Sequence, residues 1–109
     1  MMKKKPKRKL IFKKIGDISL YIASTIRLIE REEWDTAKET LLFNVRLTVE
    51  GLELRIGKKL VKTESHLDQA FKLISQRNKE KAISNLLHAL STLPEEIYEH
   101  VFKKQPKPK

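Results

Sequence analysis

Apolar side chains recur at three- and four-residue steps along most of this 109-residue chain, and that spacing admits little except packed helices. Ile18, Tyr21, Ile22, Thr25, Ile26 and Ile29 form the first stripe, with Asp17 in position to cap it. The charged stretch EREEWD (30–35) interrupts the stripe and predicts a tight turn between two helices. Beyond it Trp34, Ala37, Leu41, Leu42, Val45, Val49, Leu52 and Ile56 keep the spacing, and Leu47 and Leu54 add a second apolar edge. A helix that is apolar on two sides packs against more than one neighbour. The same segment carries a rival pattern. VRLTVEGLELRIG (45–57) alternates every second residue, as a pair of strands would. The helical spacing runs unbroken through Gly51, whereas the alternation changes phase there. Gly57 supplies a helix stop and KKLVKT (58–63) a loop.

In the second half, Ser65 and Asp68 have capping-box spacing ahead of Leu67, Ala70, Phe71 and Ile74. Asn78 is placed to cap a helix carrying Ala82, Ile83, Leu86, Ala89, Leu90 and Leu93. Thr92 and Glu95, around Pro94, predict a fresh start for a short last helix with Ile97, Tyr98, Val101 and Phe102. An internal echo supports this layout. LIEREEWDTAKETLL (28–42) and LISQRNKEKAISNLL (73–87) share Leu-Ile, an alanine and Leu-Leu at an offset of 45 residues. Each would be a helix end, a charged turn and the next helix start. The expected fold is all-α: a bundle of four helices in two hairpins, duplicated or merely similar, plus a short C-terminal helix.

Charge is distributed unevenly over this pattern. The chain holds 24 basic and 14 acidic residues, a net of +10. Residues 1–14 contain eight basic side chains (Lys3, Lys4, Lys5, Lys7, Arg8, Lys9, Lys13 and Lys14) and no acid. Residues 103–109 contain four (Lys103, Lys104, Lys107 and Lys109), also without acid. The two ends thus take twelve of the 24 cations. Residues 15–102 keep the other twelve against all 14 acids, a net of −2. Like-charge repulsion and Pro6 predict a flexible arm over 1–14, and PKPK an extended tail over 103–109. The bundle domain is expected over 15–102.

Catalytic and metal-binding patterns are sparse. Without cysteine, no disulfide, thiolate nucleophile or Cys-based metal site can form. His66, His88 and His100 are scattered, no H-E-x-x-H occurs, and Glu96 to His100 is one residue too long for a Glu-x-x-His step. Arg77 and His88 are too far apart for the Arg…His pair of small helical ribonucleases of the HEPN type. Three glycines cannot build a phosphate-cradling loop. No cofactor, metal, small-molecule substrate or enzymatic activity is expected. No uncharged run approaches membrane-spanning length, so the expectation is a soluble cytoplasmic protein without a membrane partner. Its Lys, Glu and Ile content leans in the direction of thermophiles.

Lysine-rich ends neutralise polyanions by releasing condensed counterions and do not read sequence. If half of the eight N-terminal cations engage phosphates, affinity for duplex DNA falls roughly a hundredfold between ~50 and ~200 mM salt. The twelve cations named above are therefore the candidate nucleic-acid-binding residues, contacting DNA or RNA through phosphates. No aromatic lies among the lysines of 1–9 or 103–109 to stack on bases. Trp34 and Tyr98 are candidate contacts for a protein partner, Trp34 with the further reading of a core plug. Other uses for the ends are solubility, nuclear import through KKKPKRK, and an anionic membrane surface.

In size, helical pattern, MMKKKPKRK arm and KKQPKPK tail, the chain resembles the small basic accessory subunits that bind the archaeal family-B replicative DNA polymerase. It is similar also to minor archaeal ribosomal proteins. The resemblance implies a non-enzymatic accessory subunit of a nucleic-acid-processing complex, docked on a polymerase or a ribonucleoprotein. No diagnostic motif carries it, so no functional residue is transferred. A protein–protein adaptor with merely solubilising tails is the other expectation.

Overall fold

Hydrophobic stripes at helical spacing become helices when each can bury its stripe against another. In a computed structural model of the chain, which describes residues 7–102, they do so as an all-α bundle of four rods. The first is α1 (Lys7–Glu30). The second is continuous from 34 to 56 and consists of α2 (Trp34–Thr40), a π-helical turn (Leu41–Arg46) and α3 (Leu47–Ile56). The third is α4 (Val61–Ser75). The fourth is α5 (Lys79–Ile97), extended by a second π-helical turn (Tyr98–Phe102). α1 packs along the second rod and along α5, and α4 packs along α5 and α2. Each rod therefore has two neighbours around one core, whose fully buried members include Ile18, Ile22, Leu41, Leu52, Leu67 and Leu86. Residues 45–57 belong to the second rod and form no strand pair.

The echo at an offset of 45 residues corresponds to a repeated piece of geometry. α1 ends with Glu32 in the left-handed region (φ 62°) and α4 ends with Arg77 there (φ 56°). The Glu32 N–H donates to the Ile29 carbonyl and the Glu33 N–H to that of Leu28. Arg77 and Asn78 donate likewise to Ile74 and Leu73. Both are Schellman closures, which satisfy the last carbonyls of the helix and turn the chain within three residues. Ala37 and Ala82, then Leu41 and Leu86, are fully buried at matching places. After Leu41 the correspondence slips by one residue, because the π turn inserts one. Val45 and Val49 take the places of Ala89 and Leu93. The two turns lie at one end of the bundle, where Lys79 Nζ meets Glu32 Oε2 at 3.0 Å.

Four local expectations are corrected. The helix does not start at Asp17 but at Lys7, so 7–14 are helical and not a flexible arm. Ile11, 4% exposed, extends the Ile18–Ile22 stripe by two turns, and its burial outweighs the repulsion among the lysines. Asp17 then lies inside the helix, 3.6 Å from Lys13 Nζ. α4 starts at Val61, four residues before Ser65. Asp68 does not cap it. Its Oδ1 accepts from Arg46 Nη1 at 2.5 Å, tying the π turn to α4. α5 runs straight through Pro94, without a separate fifth helix. Pro94 is exposed and lacks only the N–H that would have bonded the Leu90 carbonyl, while Leu93, Glu96 and Ile97 stay buried. The helix stop at Gly57 (φ 72°) and the Asn78 cap, which accepts from the Lys81 N–H at 3.3 Å, match expectation.

Candidate nucleic-acid interface

An up-and-down bundle returns its chain to the end from which it set out. The first turns of α1 and the last of α5 lie side by side. The Phe12 and Phe102 rings stack at 5.9 Å with 21° between their planes, and the Arg8 guanidinium lies 5.1 Å from the Phe102 centroid. Phe102, the residue just before the second cationic stretch, therefore lies beside the cations of the first turns of α1. Lys7 opens α1; Arg8, Lys9 and Lys13 are exposed and Lys14 is half-buried. Lys3, Lys4, Lys5, Lys103, Lys104, Lys107 and Lys109 lie outside the described residues. The turn after α3 comes to this end too, bringing exposed Lys58 and Lys59, neither of which sequence reasoning had selected.

Between the two helix ends is a groove of about 390 Å³. Arg8, Phe12 and Ile15 line one side; Pro94, Ile97, Tyr98 and Phe102 line the other. A π turn closes i→i+5 bonds, which bring Phe102 back beneath Ile97 and onto the groove wall. Phe12 already lies between Lys9 and Lys13 in the sequence; what spacing along the chain could not show is that Tyr98 and Phe102 join it beside the cations. Tyr98 is 56% exposed here. Trp34 is half-buried against the core at the other end, by the Schellman turns, so the two do not form one patch. A separate outward stripe runs along the second rod through Phe43, Leu47 and Leu54, the last 85% exposed.

Two buried carboxylates organise the turn before α4. Glu96 accepts the Lys62 and Thr63 N–H groups and the Thr63 hydroxyl, each at 2.8 Å. Glu53 Oε2 accepts the Leu60 N–H at 2.8 Å. Burial, and then a hydrogen bond with Glu64, push the Glu53 carboxyl above its usual 4.5. The same bond holds Glu64 below it, with Lys59 adding in the same direction. A raised carboxyl stabilises the fold in its protonated form and loses that contribution as pH rises through its folded value; a lowered one contributes above its unfolded value and loses it on acidification. The two therefore oppose each other, and Glu53→Gln isolates one. Glutamine can still accept from Leu60 and donate to Glu64, but it carries no desolvated charge. The change in melting temperature on Glu53→Gln should be more favourable at pH 7 than at pH 4. A pH-independent difference in thermal melts would contradict the assignment.

His66 and His88, scattered in sequence, face each other across α4 and α5 with ring centroids 5.4 Å apart. Among the described residues no three His, Cys, Asp or Glu side chains are grouped to hold a metal ion, and no helix is long and apolar enough to cross a membrane. Compared with known proteins, the chain matches no family model, no curated protein and no solved structure.

Proposed function

We propose that this protein is a non-enzymatic accessory subunit that holds nucleic acid by its phosphates at one cationic end while its near-neutral body meets a protein partner. The observation that carries the reading is the adjacency of Arg8, Phe12 and Phe102. It supports a single site drawing on two basic stretches that would otherwise act apart. Twelve cations that start from one place can follow a single run of backbone, and their counterion releases add. If half engage, log affinity should fall against log salt with a slope of about −5 on duplex DNA, or roughly a thousandfold between ~50 and ~200 mM. Fluorescence anisotropy across a salt series measures this. A slope shallower than about −2 would remove the reading. The likeness to archaeal polymerase-binding subunits puts DNA replication ahead of translation as the setting.

The outward stripe of Phe43, Leu47 and Leu54 favours a protein contact, whether or not nucleic acid is bound, because exposed apolar runs mark interaction surfaces. The adaptor reading rests on it. Leu54→Asp should then abolish partner capture and leave the salt slope untouched.

A further inference from the structure

We propose that the groove between α1 and α5 receives an unpaired base of a single DNA strand, stacked against Phe12 and Tyr98, while the cations of the first turns of α1 grip the flanking phosphates. The inference rests on the nucleic-acid reading above and adds the strandedness of the ligand. Both rings are 56% exposed, although each stands next to apolar side chains that could have covered it. Large aromatic surface left in water at a cationic end is what a stacking platform requires, because every base has a π face and a backbone to be neutralised. The platform is held ready. Phe12 is backed by the Phe102 ring, and Phe102 carries the Arg8 guanidinium. Tyr98 and Phe102 sit on the π turn that closes the rod, and such turns recur at functional sites.

A base inside a duplex is stacked and paired on both sides and cannot enter, so the groove discriminates by strandedness and not by sequence. Its polar groups are the Arg8 guanidinium and the Tyr98 hydroxyl. The apolar walls formed by Ile15, Pro94 and Ile97 suit the thymine methyl, which uracil lacks. Single-stranded DNA is therefore the occupant to which the groove is assigned.

The test compares labelled dT20, rU20 and a 20-base-pair duplex on the full-length protein by anisotropy at ~50 mM salt, with Tyr98→Ala and Phe12→Ala/Tyr98→Ala. Stacking predicts about a tenfold loss on dT20 for Tyr98→Ala and more for the double variant. The salt slope and duplex affinity should stay unchanged, and Tyr98→Trp should restore binding. Photo-crosslinking of bromodeoxyuridine-substituted dT20 to wild-type protein gives a second readout, independent of any variant's stability, and should mark the Phe12 or Tyr98 peptide. A dT20 affinity within twofold of wild type for the double variant, crosslinks confined to the lysine tails, or rU20 bound more than tenfold tighter than dT20 each overturn the proposal. So does a loss of dimer mass in the double variant, which would make the groove a self-association face. If no oligonucleotide shows salt-sensitive binding, the phosphate-gripping function itself fails. If dT20 and duplex bind equally with a steep slope, only the stacking site does.

Discussion

Glu96→Ala should lower the melting temperature by about 15 °C, a loss of about 3 kcal/mol for a domain of this size. A helix start leaves its first N–H groups without partners, and the residue at the α4 cap, Leu60, has no side-chain oxygen to offer. Glu96, arriving from α5 and only 3% exposed, takes the Lys62 and Thr63 N–H groups and the fully buried Thr63 hydroxyl. Alanine removes both acceptor oxygens and with them all three hydrogen bonds, and orphaned buried donors cost far more than a made bond contributes. The anion is also lost from the positive end of the helix dipole. Glu96→Gln keeps one acceptor oxygen and should lose about 1 kcal/mol. Thermal unfolding followed by circular dichroism ranks the two. Equal, small effects would mean that α4 is started by something other than this carboxylate.

Removal of residues 1–6 and 103–109 should reduce nucleic-acid affinity about a hundredfold at ~50 mM salt and make the salt slope shallower by about 3, on the count that half of the deleted cations engage. The cut takes Lys3, Lys4, Lys5, Lys103, Lys104, Lys107 and Lys109, seven of the twelve. It leaves Lys7, Arg8, Lys9, Lys13 and Lys14 on α1. Its placement matters. Deletion through residue 14, as an arm of that length would suggest, also removes the buried Ile11 and the Phe12–Phe102 stack. It should destabilise the bundle by about 3 kcal/mol. The shorter deletion should melt with the full chain. Unchanged affinity in that variant would assign the ends to solubility alone.

Helix existence was legible from spacing because burial on one face of a helix is a local, periodic requirement. The Ile18–Ile29 stripe and the Ala82–Leu93 stripe both became core. Gly57 and Asn78 were legible because their conformational and capping preferences act on the nearest residues. Helix limits were legible only where the cap is local. α4 begins four residues early because its cap is a side chain more than thirty residues away. α1 begins early because Ile11 finds a place in the core formed with the other rods. The π turn at Leu41–Arg46 left no mark that periodicity could detect, since four-residue steps from Leu41 to Val49 fit an ordinary helix as well.

What the amino-acid order determined by itself is the all-α class, the tight turn near 31–33 and the repeat of that turn 45 residues on, together with the exile of excess charge to the two ends. All of these follow from interactions between residues within a helical turn or two. Only the tertiary structure decided that the start of α1 meets the end of the fourth rod, that Phe12, Tyr98 and Phe102 gather beside Arg8, and that Glu53 and Glu96 are buried acceptors. Those relations join residues as far apart in the chain as Arg8 and Phe102, and a separation that large is bridged by how helices pack and by nothing that either residue's neighbours in the chain can express.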